Sequence, residues 1–553
     1  MSRQMPGLLP GAIRGLMMDR PLLVAPLLQY AATYHADTDI VTRSVEGPVR
    51  RQTYAETLIR AQRLANALIS LGVKPGDRVA TLAWNTWRHI ELYYAVAGIG
   101  AICHTINPRL SSEQLRYIID HADDCMLFFD LTFADAVAEH CPKSDRLLGR
   151  VVLSDAAHRP ANPALADVMT YEELIAGQSE TYDWPEFDEN TAASLCYTSG
   201  TTGNPKGVLY SHRTLVLHSF ACCMTATMGL SVDDRVLPVV PMFHVNAWGI
   251  PYAAPMSGAA LILPGRALDG PSLFDLMENE SVSCAQGVPT VWMSLLTTMR
   301  EKKRKPKSLR RILVGGAAAS EMLIEAFETE FDVQVNHAWG MTEMTPLGVV
   351  NTLKPKFKAK PRAEQMPQKL KQGRVVYGVD MRIVDDAGKE LPHDGRTPGH
   401  LQVRGPWIVK EYFKSANEAL TPDGWFETGD IATLDPDGYM QITDRSKDVI
   451  KSGGEWISSV DLENAALGHP QIAHAAVIGI PHPKWQERPL LICVARGPER
   501  PTLQEVNAYL ETKVPKWWLP DVIAFVDAIP LGPTGKIQKT RLREQFKAVT
   551  APG

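Results

Sequence analysis

The feature that most constrains the fold of this chain is a polar loop held between two short apolar segments. Residues 198–207 contain three Thr, one Ser, three Gly, one Asn, one Pro and one Lys. Glycine lets backbone N–H groups approach an anion closely, hydroxyls donate further hydrogen bonds, and lysine supplies a point charge. The loop is therefore predicted to cradle a polyphosphate.

A flexible Gly/Ser/Thr linker is the main alternative for this loop, and the flanking residues disfavour it. Residues 192–197 have the composition of a short buried strand, and residues 208–210 return at once to apolar character. The loop also differs from the common P-loop, which needs Gly directly before Lys, because Pro205 precedes Lys206. Since Pro205 favours a stiff turn over a helix start, we expect a phosphate loop of another kind.

Composition indicates an ordinary globular protein without a nucleic-acid partner. The chain has 553 residues, of which 45% are hydrophobic and 22% charged, and this length predicts more than one domain. The net charge of −5 gives no reason to expect binding to nucleic acid. The eight cysteines form no Cys-x-x-Cys pair, which disfavours a zinc site or disulfide framework. Because no secretory signal is convincing either, a reducing cytoplasm is the expected location.

An uncharged stretch, residues 236–265, is long enough to span a bilayer. Prolines would interrupt a membrane helix at several points within it. They are Pro238, Pro241, Pro251, Pro255 and Pro264. The composition favours a buried segment that folds back within a protein core, and no transmembrane segment is predicted.

Helices and short apolar strands alternate in the first part of the chain. Thr53 and Glu56 have the spacing of a capping box, and Gly72 can end the helix that they begin. Residues 78–82 and 126–129 have the composition of buried strands. The alternation predicts an α/β fold with mostly parallel sheets flanked by helices.

The pattern changes near residue 380, where short strands alternate with Asp-Gly turns such as Asp437-Gly438. This alternation predicts a β-rich subdomain over about residues 375–446. The chain is strongly polar at residues 444–448, and strand and helix patterns follow that segment. We therefore expect a large domain over residues 1–446 and a small α+β domain over residues 447–553.

Four further segments carry residues that suit nucleotide chemistry. Glu343 follows a hydroxyl and a flat ring and could hold Mg²⁺, a cation that prefers oxygen ligands. Asp430 offers a carboxylate for a ribose diol, Gly453-Gly454 permits close approach of a ligand, and Lys536 is a lone cation on a tight turn. Each segment is a weak indicator alone, whereas their joint presence in this order is specific.

Together with residues 241–248 and 450–458, these motifs resemble those of the AMP-forming acyl-CoA synthetases of the adenylate-forming (ANL) superfamily. The resemblance covers about residues 25–545 and is greatest to the medium- and long-chain fatty acid branch. It implies a large N-terminal AMP-binding domain, a small mobile C-terminal domain, and a homodimer. It also implies ATP and CoA as co-substrates and Mg²⁺ as cofactor.

The resemblance implies roles for individual residues. Lys536, Glu343 and Thr198 would be catalytic, with Thr198 and Glu343 also binding the metal, and Lys447 would be the hinge of the small domain. ATP or AMP would contact Thr198, Ser199, Gly200, Thr201, Thr202, Gly203, Lys206, Gly316, His337, Ala338, Trp339, Gly340, Met341, Thr342, Glu343, Asp430, Arg445, Lys447, Lys451 and Lys536. CoA would contact Val245, Trp248, Gly453, Gly454, Glu455 and Trp456, and the acyl group would contact His244, Trp248 and Gly249.

The uncharged stretch is the expected wall of the acid pocket. It offers no carboxylate to pair with the ammonium of an amino acid, so an apolar acid is favoured. Trp248 could gate this pocket or be a core aromatic, and His244 could line the pocket or be a core histidine.

The resemblance and the apolar wall together predict a ligase that joins a medium- or long-chain fatty acid to CoA through an acyl-AMP. The alternative within this class is a ligase for a short methylthio or branched acid of the 3-methylmercaptopropionate type. A luciferase-like oxidoreductase would share the first step, but the 453–456 loop disfavours it. An adenylation module for a carrier protein and a non-catalytic nucleotide-binding relative fit less well.

Overall fold

The structure is a computed structural model that describes residues 9–141, 147–198, 204–416, 418–452, 455–532 and 537–552. Ser199, Gly200, Thr201, Thr202, Gly203, Gly453, Gly454 and Lys536 lie outside the described residues, and so does the side chain of Glu455. The following bounds refer to the described part of the chain.

The strands belong to three sheets. They are β1 (Asp39–Arg43), β2 (Val49–Thr53), β3 (Arg78–Leu82), β4 (Ile102–Thr105), β5 (Asp124–Phe129), β6 (Gly149–Val152), β7 (Met169–Thr170), β8 (Ala192–Tyr197), β9 (Gly207–Ser211), β10 (Arg235–Pro238), β11 (Ala260–Leu263), β12 (Cys284–Gly287), β13 (Arg311–Val314), β14 (Gln334–Gly340), β15 (Leu347–Val350), β16 (Gly373–Val375), β17 (Asp380–Val384), β18 (Gly399–Arg404), β19 (Phe426–Leu434), β20 (Tyr439–Arg445), β21 (Ile450–Ser452), β22 (Glu455–Ile457), β23 (Ile472–His482), β24 (Gln486–Ala495) and β25 (Val522–Phe525).

Helical segments connect and cover these strands. They are α1 (Ala25–Tyr34), α2 (Tyr54–Ser70), α3 (Trp87–Gly98), α4 (Ser112–Ala122), α5 (Ala134–His140), α6 (Tyr171–Ile175), α7 (His212–Cys223), α8 (Val245–Trp248), α9 (Ile250–Ser257), α10 (Gly270–Asn279), α11 (Pro289–Lys302), α12 (Glu321–Glu325), α13 (Pro355–Lys358), α14 (Arg362–Lys369), α15 (Ser459–Leu467), α16 (Leu503–Leu510) and α17 (Lys539–Gln545).

Two large sheets form the first part of the molecule. The larger one has the order β17-β18-β19-β20-β16-β15-β14-β13-β12-β10-β11-β1-β2, and the other has the order β7-β6-β5-β3-β4-β8-β9. Parallel pairing runs through β14-β13-β12-β10-β11-β1 and through β7-β6-β5-β3-β4-β8, as the alternation of helices and strands predicted. Helix α3 is buried throughout and packs against β4 and β8 of one sheet and β1 of the other. It therefore joins the two sheets into one core.

The antiparallel strands continue the larger sheet without a break. β15 pairs with β14, and β16, β20, β19, β18 and β17 follow in antiparallel pairs. The β-rich region expected at residues 375–446 is thus an extension of the parallel sheet. The Asp437-Gly438 turn closes the β19–β20 hairpin as predicted.

The C-terminal region has a sheet of its own, with the order β22-β21-β24-β23 and β25 beside β24. Its helix α15 packs on β23 and also contacts β20 of the preceding region. β20 ends at Arg445 and β21 begins at Ile450, so the short segment between these strands links the two regions.

Local predictions for the first helices and strands are confirmed. The Thr53 hydroxyl accepts the N–H of Glu56 at 3.3 Å and the Glu56 carboxylate accepts the N–H of Thr53 at 2.8 Å, which completes the capping box of α2. The uncharged stretch folds back as β10, α8, α9 and β11 and is mostly buried. Among the described residues, no helix is long and apolar enough to cross a membrane.

Candidate active site

The candidate site is a cavity of about 570 Å³ that the two large sheets and the C-terminal region enclose together. Several predicted ATP residues line it, and so do three residues of the uncharged stretch. The predicted residues on its wall are Thr198, Lys206, Gly316, Ala338, Trp339, Gly340, Met341, Thr342, Glu343, Arg445, Lys447, His244, Val245 and Trp248. The structure therefore brings together most of the described residues that the sequence motifs indicated.

Strands β8 and β9 bring the two ends of the phosphate loop together at the cavity. The N–H of Thr198 donates to the carbonyl of Lys206 at 2.9 Å, and the N–H of Lys206 donates to the Thr198 hydroxyl at 3.2 Å. Because the two residues pair directly, the intervening segment starts and ends at one point on the cavity wall. The loop is anchored at both ends, which confirms the reading of its flanks.

A buried carboxylate, that of Glu343, lines the same cavity. Glu343 is 8% exposed, and its Oε1 accepts the Tyr412 hydroxyl at 3.0 Å. Burial raises the pKa of Glu343, while the hydrogen bond from Tyr412 and the charges of Arg445 and Lys206 oppose that rise. The Lys206 ammonium lies 4.7 Å from the centroid of the same Tyr412 ring. Tyr412 thus holds both charged groups at one edge of the cavity.

Asp430 lies behind the cavity wall and orients two residues that form the wall. Its Oδ1 pairs with Arg445 Nε at 2.7 Å, and its Oδ2 accepts Trp339 Nε1–H at 3.0 Å. Asp430 and Arg445 are direct partners in the β19–β20 ladder, which fixes this arrangement in the backbone. Since Asp430 is 2% exposed, a ligand diol meets the arginine and the indole before it meets the carboxylate.

His337 is buried behind the predicted adenine slot and does not line the cavity. Its Nε2 accepts the N–H of Ala319 at 3.3 Å, and burial lowers its pKa to about 4. The ring is therefore neutral near pH 7 and supports the turn before α12. Gly316 and Ala338, which are also predicted to form this slot, do line the cavity.

The apolar end of the cavity contains Trp248, whose indole lies against Gly315. A Cβ atom at position 315 would stand 2.8 Å from Trp248 Cη2, so only glycine leaves room for the ring. Met228, Leu313 and Leu347 also line this end. Trp248 brings the uncharged stretch to the cavity, and the role of that stretch as the acid-pocket wall stays a prediction.

The segment that carries Trp248 has an unusual backbone. Val245, Asn246, Ala247 and Trp248 have φ angles of 47°, 53°, 48° and 55°, so α8 is a single left-handed turn. Such a conformation costs on the order of 1–2 kcal/mol per residue for L-amino acids. Gly249 follows at φ 79° and lies against the buried His218, away from the cavity surface. Gly249, which was predicted to contact the acyl group, therefore packs behind the cavity wall instead.

The C-terminal region reaches the cavity through two segments, one at Lys447 and Asp448 and one at residues 532–541. Gly532 and Ile537, which flank the segment containing Lys536, line the cavity together with Gln538, Lys539, Thr540 and Arg541. Lys447 lines it too, and burial lowers the pKa of this lysine. Lys451 is exposed on β21, and the Trp456 ring packs 5.8 Å from the His400 ring, so neither lies on the cavity wall.

Tyr412, Gly315 and Met228 are among the residues of the cavity that sequence reasoning missed. Tyr412 lies 69 residues after Glu343, Gly315 was passed over for Gly316, and Met228 lies outside the uncharged stretch. For Gly315, the sequence did contain an indication, since two consecutive glycines follow the end of a buried strand. For Tyr412 and Met228, the sequence contained no comparable pattern.

The oxygen ligands in the cavity are compatible with a hard divalent cation whose coordination shell the substrate completes. The Glu343 carboxylate and the Thr198 hydroxyl are oxygen ligands on the same cavity wall. Within the part of the chain that the structure describes, no cluster of three or more His, Cys, Asp or Glu could hold a metal. A site with few protein ligands is suitable for Mg²⁺, because this ion usually keeps several waters and binds substrate phosphates.

Comparison with known proteins gives two family matches along this chain. Residues 28–413 match the AMP-binding enzyme family, and residues 461–536 match the AMP-binding enzyme C-terminal domain. The chain is 51% identical over 535 residues to a 3-methylmercaptopropionyl-CoA ligase of Ruegeria lacuscaerulensis, covering 96% of this chain and 99% of the relative. It is 49% identical over 534 residues to a medium-chain-fatty-acid–CoA ligase of Ectopseudomonas oleovorans, covering 96% and 97%.

A solved structure agrees with these matches. The o-succinylbenzoate CoA synthetase of Bacillus subtilis, in complex with ATP and magnesium ion, superposes with a TM-score of 0.77 at 25% identity. The alignment covers 94% of this chain and 99% of the other. The fold, the family matches and the cavity lead to one conclusion: the chain belongs to the AMP-binding enzyme family and, within it, to the AMP-forming acyl-CoA synthetases.

Proposed function

We propose that this synthetase activates an apolar carboxylic acid of short or medium length, with methylthio acids of the 3-methylmercaptopropionate type and medium-chain fatty acids as its substrates. The observation that carries the proposal is the apolar end of the cavity, where the Trp248 indole rests on Gly315. A long tail would need this ring to swing aside, whereas a short tail can lie against it. The named relatives act on acids of both proposed kinds.

The chemistry of the pocket wall supports this choice of acid. The uncharged stretch contributes Val245 and Trp248, and Leu313 and Leu347 complete an apolar surface. No carboxylate lies in that stretch to pair with an ammonium group, so amino acids are excluded by the cost of burying an unpaired charge. A thioether suits the site as well as an alkyl group, since sulfur packs favourably against aromatic rings such as Trp248.

Adenylation requires that an acid carboxylate attack the α-phosphate of ATP while pyrophosphate leaves. Thr198, Lys206 and the phosphate loop would hold the β- and γ-phosphates, and Arg445 would hold the ribose in front of Asp430. Glu343 and Thr198 would hold Mg²⁺, which when bound offsets the negative charge of the phosphates. Lys536 would stabilise the charge shared by the carboxylate and the α-phosphate.

Thioester formation follows when the thiol of CoA attacks the acyl-AMP and AMP leaves. In the present arrangement, the segment around Lys536 borders the cavity, while Lys451 and Trp456 lie elsewhere. We propose that residues 447–553 turn about Lys447 between the two steps. This rotation would withdraw Lys536 and bring the 453–456 loop to the CoA path.

Two further proposals concern assembly and location. We propose a homodimer that forms through the N-terminal arm, where Leu9, Ile13, Leu16, Met17 and Met18 are at least 78% exposed. Light scattering should then give twice the chain mass, and a monomer mass for the full chain would contradict it. The eight free cysteines support a reducing, cytoplasmic location, which fractionation of the native cells would test.

The decisive experiment measures pyrophosphate release with 3-methylmercaptopropionate, isobutyrate, hexanoate, octanoate and palmitate as acids. We expect release to depend on acid and kcat/KM to be highest for 3-methylmercaptopropionate, hexanoate or octanoate. A maximum at palmitate would overturn the proposed acid length and support a long-chain ligase. CoA should be consumed with AMP formation and without light, and light emission would support an oxidoreductase instead.

Gly315→Ala should shift the preference of the enzyme toward shorter acids. The added Cβ would push the Trp248 ring into the apolar end, so we expect kcat/KM for octanoate to fall about 10–100-fold more than that for 3-methylmercaptopropionate. Gly497→Ala is the matched control, because a Cβ there meets no atom within 4 Å. Equal losses for both acids in Gly315→Ala would contradict this account of the pocket.

Lys536→Ala should separate the two half-reactions. We expect adenylate formation to fall by about 100-fold or more, because charge at the α-phosphate loses its stabilising cation. Thioester formation from supplied acyl-AMP and CoA should stay within about twofold of the unmodified enzyme. Equal losses in both steps would refute the division of roles that we assign to the small domain.

A further inference from the structure

The left-handed turn α8 connects two functions that are separate in the sequence. Its first and last residues, Val245 and Trp248, line the acid end of the cavity. Between them, Asn246 is 2% exposed and does not line the cavity. Its side chain extends instead toward the strand that leads into the phosphate loop.

Three polar side chains surround the amide oxygen of Asn246, and two of them also have a nearer acceptor: the Tyr93 hydroxyl donates to the Met242 carbonyl at 2.6 Å, and the Ser194 hydroxyl donates to the Cys103 carbonyl at 3.1 Å. The Tyr93 hydroxyl lies 3.1 Å from Oδ1, the Ser194 hydroxyl 3.3 Å, and the Cys196 thiol 3.6 Å. Ser194 and Cys196 belong to β8, and Cys196 precedes Thr198 by two residues. One buried side chain therefore links the turn that carries Trp248 to the strand that carries Thr198.

The residue type suits both requirements of this position. Asparagine tolerates the left-handed region better than most residues other than glycine, and its amide can serve as a buried acceptor. Glycine would adopt the φ of 53° without strain but would lose all three contacts. The backbone alone therefore does not require asparagine here, whereas the link to β8 does.

We infer that Asn246 is a positioning residue that couples the acid pocket to the phosphate-loop strand. The inference rests on the proposed function, since it takes the acid to lie against Trp248 and ATP to lie at Thr198. An acid that settles against Trp248 shifts or stiffens α8, and Asn246 passes this effect to β8. Acid and ATP then change each other's affinity by the same factor, as linkage requires.

The test measures the affinity for α,β-methylene-ATP by calorimetry, with and without saturating hexanoate. The unmodified enzyme should bind the analogue at least about fivefold more tightly, or more weakly, when hexanoate is present. Asn246→Gly should reduce that factor to less than about twofold, while each ligand alone still binds. Hexanoate-independent affinity in the unmodified enzyme, or full coupling in Asn246→Gly, would overturn the inference.

Ala247→Gly is the matched control, because Ala247 shares the left-handed backbone and its methyl group makes no hydrogen bond. It should retain the coupling factor of the unmodified enzyme, and a loss equal to that of Asn246→Gly would assign the effect to backbone freedom instead. Ser194→Ala removes one donor from the β8 side and should weaken the coupling in the same direction. If Asn246→Gly does not fold, the double variant Ser194→Ala/Cys196→Ala decides, since it removes both contacts of Asn246 with β8 and unchanged coupling in it refutes the link.

A failure of this inference can be told apart from a failure of the proposed function. Failure of the function would appear as an absence of acid-dependent pyrophosphate release in the unmodified enzyme. Failure of the inference would appear in an active enzyme, as coupling that does not depend on Asn246.

Discussion

The pairing of β8 with β9 is the constraint on which the active site depends. These strands form an antiparallel pair at the edge of the second sheet, and reciprocal hydrogen bonds between Thr198 and Lys206 join the two ends of the phosphate loop. A slip of one residue in this register would turn every side chain of β9 to the opposite face. The Tyr210 hydroxyl, which donates to the Thr342 carbonyl at 2.6 Å, ties the same pair to the segment that carries Glu343. The positions of the two loop ends and of the segment that carries Glu343 therefore depend on one ladder.

The cavity has a polar half and an apolar half. Its polar half consists of charged groups that protein side chains already hold in place, as Tyr412 holds Glu343 and Asp430 holds Arg445. Groups that are oriented before the substrate arrives lose little entropy on binding, which is an efficient basis for phosphate chemistry. The apolar half relies on shape, with the Trp248 ring fitted against a glycine. Acid preference can therefore change at a few residues of the apolar half without altering the residues that handle ATP.

Local signals made much of this fold predictable. The capping box at Thr53, the strands at 78–82 and 126–129, and the anchored ends of the polar loop are encoded by neighbouring residues, and all of them are confirmed. The polyphosphate role of the loop stays a prediction. The left-handed turn at Val245 was not predictable, because nothing in its composition distinguishes it from an ordinary buried segment. Tyr412 was also missed, since its contact with Glu343 exists only after β14, β15 and the segment beyond β18 have been assembled. Residues that belong to local motifs can thus be predicted from the sequence. The residues that position them cannot, because their contacts form only in the tertiary structure.

The ladder between Asp430 and Arg445 bears on the proposed rotation of the small domain about Lys447. Arg445 is the last residue of β20, and Lys447 follows two residues later. A nucleotide bound by Arg445, as we propose, would therefore lie beside the fixed side of that pivot. ATP, acyl-AMP and AMP share the same ribose, so this contact would persist from the first step until AMP departs. Because the Asp430 pair and the β19–β20 ladder hold the end of β20 without a ligand, release of AMP would leave the pivot in place for the next turnover.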